Sequence, residues 1–171
     1  MRRTRTSAVT TGGLAAPSRF PGPERLVGFG FRLWLNGFRT GDISSWEQAW
    51  CAYASTIGAT AAKSAVGELS SWVRAINCYA QRELETASGA SDWFCRDERV
   101  AIAMIAACQH NACPAMRACA FALLGCSMID EVVEGAESFA CTLRRAHQIL
   151  LPASADAASL LNMPAATASR H

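Results

Sequence analysis

"FCRDERVAIAMIAACQHNACPAM", residues 94–116, reads most plainly of any part of the chain. Residues 100–108 carry no charged or strongly polar side chain. Asp97 and Glu98 stand just ahead of them, where two negative charges suit the start of a helix dipole. The pattern predicts a helix over 97–110. Pro114 suits the first turn of a second helix, which would run to Leu124 and stop at Gly125. Both helices are apolar on nearly all sides, which predicts a place for them at the centre of a helical bundle.

Working outward, the same three- and four-residue steps recur. Residues 127–150 carry Ile129, Val132, Val133, Ala136, Phe139, Ala140, Leu143 and Leu150 as one stripe. Asp130, Glu131, Glu134 and Glu137 crowd the start of that helix, and Arg144, Arg145 and His147 crowd its end, again matching the dipole. Residues 59–83 repeat the pattern through Ala62, Ala65, Val66, Leu69, Trp72, Val73, Ile76 and Tyr79. A helix over 44–57, capped by Asp42, Ser44 or Ser45, places Trp46, Trp50 and Tyr53 at helical spacing, the mark of a core stripe. A first helix over 23–39 offers Leu26, Phe29 and Leu33, with Val27, Phe31 and Trp34, although Gly28, Gly30 and Gly37 weaken its propensity. Residues 84–93 are expected to be a loop around Gly89. No strand pattern and no internal repeat appears, so the fold expected is all-α: one bundle of five or six helices over residues 23–151.

The ends differ from this body. Residues 1–22 are rich in Arg, Thr, Ser, Gly and Pro and are expected to be a disordered basic leader. Residues 152–171 begin with one proline, are broken by another, and are expected to be a flexible tail. Up to Arg25 the net charge is +4; the remainder carries −2. A slightly acidic body lacks the basic face that nucleic-acid binding needs. No apolar run is long enough to span a bilayer, and the arginines of the leader are not followed by the apolar segment of a secretory signal. The leader reads equally as an organelle transit peptide, a bacterial N-terminus or a start assigned too early. Eight cysteines spread among helical alanines point to reduced thiols in the cytoplasm.

Charged residues make up 18% of the chain and apolar ones 51%. Either alanine covers helix faces harmlessly, or part of the surface is covered by a homodimer or a protein partner.

Chemistry-bearing residues concentrate in the opening stretch. Cys95, Cys108, His110 and Cys113 are the right types for zinc or an iron–sulfur cluster. A helix of roughly 20 Å, at about 1.5 Å per residue, separates Cys95 from the other three and rules it out of a shared site. The candidate metal set is therefore Cys108, His110 and Cys113, at the turn between two helices. Cys113-Pro114 also matches the short cysteine–proline element of haem-responsive proteins, with His110 as a second haem ligand. Cys95, at a helix start beside Arg96, is either a reactive thiol or a packed one beside Trp93 and Phe94. Cys108 and Cys119, among alanines, read as small hydrophobes. The chain has no G-x-S-x-G, H-E-x-x-H, phosphate-loop or E-x-x-H pattern, and no catalytic set is assigned. The leading expectation is an interaction or regulatory protein without catalytic activity; the alternative is a thiol, metal or haem sensor at the 108–113 turn. No particular cofactor follows.

Three segments, "WEQAWCAYA" at 46–54, "CRDE" at 95–98 and "AIAMIAACQHNACPAMRACAFALLG" at 101–125, give residues 46–150 a further character. In these the chain resembles small all-α proteins of unassigned function in nitrogen-fixing alphaproteobacteria. The resemblance implies a bacterial cytoplasmic protein and carries no activity or site.

Overall fold

Apolar stripes at helical spacing become six helices in the computed structural model, which describes residues 22–88 and 91–152. These are α1 (Gly22–Thr40), α2 (Ile43–Ile57), α3 (Ala59–Tyr79), α4 (Arg96–Gln109), α5 (Cys113–Leu124) and α6 (Asp130–Arg145). No strand occurs among the described residues. The leader and tail expected at 1–22 and 152–171 lie outside them, except that Gly22 is the first residue of α1 and Pro152 ends the described chain. The tip of the expected loop at Gly89 also lies outside. Among the described residues no helix is long and apolar enough to cross a membrane.

The helices pack so that α4 touches α1, α5 and α6, and α3 touches α1, α2 and α6. The all-round apolar character of α4 is used: Val100 to Ala107 are all buried. The expectation for α5 is corrected. It packs chiefly on α4 and leaves Cys113, Arg117 and Phe121, spaced at four residues, on an exposed outer face. Alanine-rich helices look apolar all round whether or not every side is covered.

At the centre Trp72 lies against Phe31 and Phe139, with ring centroids 5.9 and 5.8 Å away. Tyr53 is fully buried near Phe139, and its hydroxyl donates to the Leu26 carbonyl at 3.1 Å. Burial raises the Tyr53 phenol well above its ordinary pKa. The aromatic stripe of α2 is therefore core only in part. Trp46 is half-buried between Trp34 and Phe38, and Trp50 is exposed.

Helix ends follow local chemistry. Asp42 caps α2 by accepting the Ser44 N–H at 3.0 Å. Gly125, at φ 69°, ends α5 in the left-handed conformation. Two ends fall short of the sequence expectation. Helix α3 stops at Tyr79 because Ala80 turns extended and the Gln81 N–H bonds the Leu124 carbonyl instead. Helix α6 begins at Asp130 and ends at Arg145; beyond it His147 takes φ 57°. The chain then folds back, and Leu150 is still buried. Gln109 of α4 holds this returning strap by accepting the Leu150 N–H at 2.8 Å and donating to the Gln148 carbonyl at 2.9 Å. Arg144 also donates to the Gln109 carbonyl. Leu151 N–H reaches back to Glu24 of α1 at 2.6 Å.

The glycines that weaken α1 in isolation permit close packing. A Cβ on Gly30 would stand 2.6 Å from the Tyr53 hydroxyl, and one on Gly37 would stand 2.2 Å from the Trp46 indole nitrogen. Gly67, inside α3, faces open space. Opposite outcomes follow for the same chemical change. Gly67→Ala should stabilise the protein by about 0.5–1 kcal/mol through helix propensity. Gly37→Ala should cost about 1–3 kcal/mol by forcing Trp46 out of place. Urea unfolding monitored by circular dichroism measures both.

Candidate functional site

Four charged side chains that the sequence leaves unremarked, or explains by the helix dipole alone, organise one end of the bundle. Arg32 of α1 is 2% exposed and Glu98 of α4 is 0% exposed. Arg32 Nε donates to Glu98 Oε1 at 2.7 Å, and a second donor reaches Oε2 at 3.2 Å. Its remaining donors go to the carbonyls of Ser88 at 3.3 Å, Ser91 at 2.8 Å and Trp93 at 2.7 Å. Five hydrogen bonds match the five N–H groups of a guanidinium. Its charge also lies 5.2 Å from the centre of the Phe94 ring.

The carboxylate is equally occupied. Glu98 accepts the N–H of Ala87 at 3.1 Å and of Cys95 at 2.8 Å. Beside it Asp97, 1% exposed, takes a two-point grip from Arg82 at 2.6 and 2.9 Å and accepts the Glu85 N–H at 2.8 Å. Arg82 donates further to the Ala122 carbonyl, tying the end of α5 to the same cluster. Hydrogen bonding to Asp97 raises the Arg82 pKa further, although partial burial opposes it. The acidic pair at the start of α4 thus does more than suit a dipole: it fastens the non-helical segment between α3 and α4. Its signal in the sequence is two adjacent carboxylates heading a helix with no polar side to carry them. Only a partner can make such burial tolerable.

The three residues of the 108–113 turn lie in different surroundings. Cys108 is half-buried, and burial, with Glu137 nearby, pushes its thiol up to about 12. His110 is exposed, and its Nε2 lies 2.8 Å from the Leu150 carbonyl. A carbonyl only accepts, so that nitrogen carries the proton. Cys113 is exposed at the start of α5. Among the described residues no three His, Cys, Asp or Glu side chains are grouped to hold a metal ion. The turn therefore does not gather Cys108, His110 and Cys113 into one ligand set.

Cys95 is no activated thiol: burial pushes it up to about 11, and its sulfur donates to the Glu85 carbonyl at 3.0 Å. The Glu98 carboxylate adds to that rise, while the backbone N–H groups of Asp97 and Glu98 oppose it. Cys119 is 1% exposed, as a small hydrophobe should be, and burial raises it to about 11. The other helical cysteines, Cys51, Cys78 and Cys141, are exposed. None of the eight is in a disulfide.

The segment that Arg32 fastens also walls a cleft of about 590 Å³. Arg25 and Phe29 of α1 line it, with Gln48 and Ala52 of α2 and with Asp92 and Phe94. Next to it Trp93 stands 60% exposed. Its walls come from three separated parts of the chain, so no local pattern marks it. No known family model matches the chain, and no curated protein or solved structure is similar to it.

Three outcomes follow. Glu98→Ala strands a buried guanidinium and should cost about 3–5 kcal/mol, whereas Arg32→Met with Glu98→Leu should cost markedly less; thermal unfolding of the two variants checks this. Native iodoacetamide labelling at pH 8, read by mass spectrometry, should modify Cys51, Cys78, Cys113 and Cys141 first. Cys95, Cys108 and Cys119 keep their protons there, because a raised thiol pKa delays the thiolate until the pH nears about 11. The same raised values favour the fold below the ordinary thiol pKa and withdraw that support as the pH rises through 11 to 12.

Proposed function

We propose that the protein is a non-catalytic interaction module of regulatory type that docks a protein partner, or a second copy of itself, over Trp93. The observation that carries this reading is the way Trp93 is held. The residue is 60% exposed, while its carbonyl is fixed by buried Arg32 at 2.7 Å and the next residue, Phe94, is buried. An exposed tryptophan on a pre-ordered backbone pays little entropy when it is covered, and tryptophan is enriched among the residues that dominate interfaces. The low charge of the chain, 18%, supports the same reading. Eight unpaired thiols accord with work in the reducing cytoplasm.

Light scattering on the full chain, in purified form and in native extract fractions, provides the test. The chain should travel above its own 18.3 kDa. Trp93→Ala, at an exposed position, should return it to a single-chain mass without lowering the melting temperature. A single-chain mass in both preparations, or a larger mass that Trp93→Ala leaves intact, would overturn the proposal.

A further inference from the structure

The cleft beside Trp93 has a charge pattern of its own. Its volume, about 590 Å³, falls within the range of roughly 300–1,000 Å³ typical of small-molecule sites. Arg25 of α1 brings a positive charge to it and Asp92 brings a negative one. Among the described residues neither takes part in an ion pair, with the other or with any third group. Both therefore stay available to a ligand. Leu26, Phe29 and Phe94 supply apolar wall. Gln48 supplies an amide, which can donate and accept.

From this pattern we infer that the cleft binds a small zwitterion with an apolar body, namely an apolar amino acid or dipeptide. The carboxylate pairs with Arg25, the ammonium with Asp92, and the side chains lie on Phe29 and Phe94. A ligand with only a carboxylate would bring its charge near an uncompensated Asp92, and one with only an ammonium would do the same to Arg25. Selectivity then comes from both the attraction and the mismatch. The wall that carries Asp92 is set in advance, because Arg32 holds the carbonyls on either side of it, those of Ser91 and Trp93. A site ordered before its ligand arrives loses little entropy on binding. This inference stands apart from the docking role of Trp93, since it rests on the cleft charges and not on the exposed indole.

Isothermal titration of the full chain with L-phenylalanine and with the dipeptide Leu-Leu tests it. At least one should bind saturably. N-acetyl-L-phenylalanine, which lacks the ammonium, and L-phenylalaninamide, which lacks the carboxylate, should each bind at least ten-fold more weakly than the parent. Arg25→Gln and Asp92→Asn change exposed residues and should leave the melting temperature unchanged while weakening binding by ten-fold or more. Arg25→Gln should also erase the difference between phenylalanine and its amide. Absence of saturable binding by both probes, or equal binding of the capped and free compounds to the unmodified chain, would overturn the inference. So would full affinity in both variants.

Discussion

Everything at one end of this bundle hangs on the pairing of Arg32 with Glu98. Two full charges lie where water does not reach, and each would be costly there alone. Together they are tolerable only because every remaining donor and acceptor is also used. The guanidinium spends its other N–H groups on the carbonyls of Ser88, Ser91 and Trp93, and the carboxylate accepts from Ala87 and Cys95. The pair thereby acts on backbone as well as on side chains. The backbone at Ala87, Ser88, Ser91, Trp93 and Cys95, between α3 and α4, is held in this way where plain coil would sample many conformations. Asp97 and Arg82 extend the same device to Glu85 and to the end of α5.

That constraint also links the fold to the proposed sites. A tryptophan in a loose loop would fold back on the surface or move freely. Trp93 instead follows two anchored neighbours in space, a guanidinium on its own carbonyl and a buried ring at Phe94. The cleft next to it gains a wall of defined position from the same bonds. Both proposed binding features therefore depend on buried charges that touch neither a partner nor a ligand. The close approach of α1 to α2 contributes the opposite wall. It is possible because Gly30 and Gly37 carry no Cβ to strike Tyr53 and Trp46.

The cysteines show that residue type says little until position is known. Thiols and an imidazole within one short run have the chemistry of a metal site, yet chemistry needs convergence. Cys108 lies half inside the bundle, His110 is engaged by the Leu150 carbonyl, and Cys113 stands at the surface. The buried thiols hold their protons for the reason that any acid does in an apolar surrounding: the charged form is the one that loses solvation. Cysteine here spans the whole range from core filler at Cys119 to exposed side chain at Cys141.

Periodicity by itself determined the helical class, a bundle of five or six helices, a cap for α2 among Asp42, Ser44 and Ser45, and the stop at Gly125, because these are set by residues within a few positions of one another. It placed the stripe of α6 correctly, down to the burial of Leu150, but not the point where the helix ends. The ends of α3 and α6 were decided by partners distant in sequence, Leu124 for Gln81 and Gln109 for Leu150. Likewise, α5 looks as apolar as α4, and only packing shows that one lies inside and the other at the edge. The burial of Arg32 could not be read locally, since its partner lies 66 residues away. Short-range pattern fixes the backbone's local state; which charges are buried, which aromatic rings are left exposed and which walls enclose a cleft depend on contacts between distant segments, and these exist only once the chain has folded.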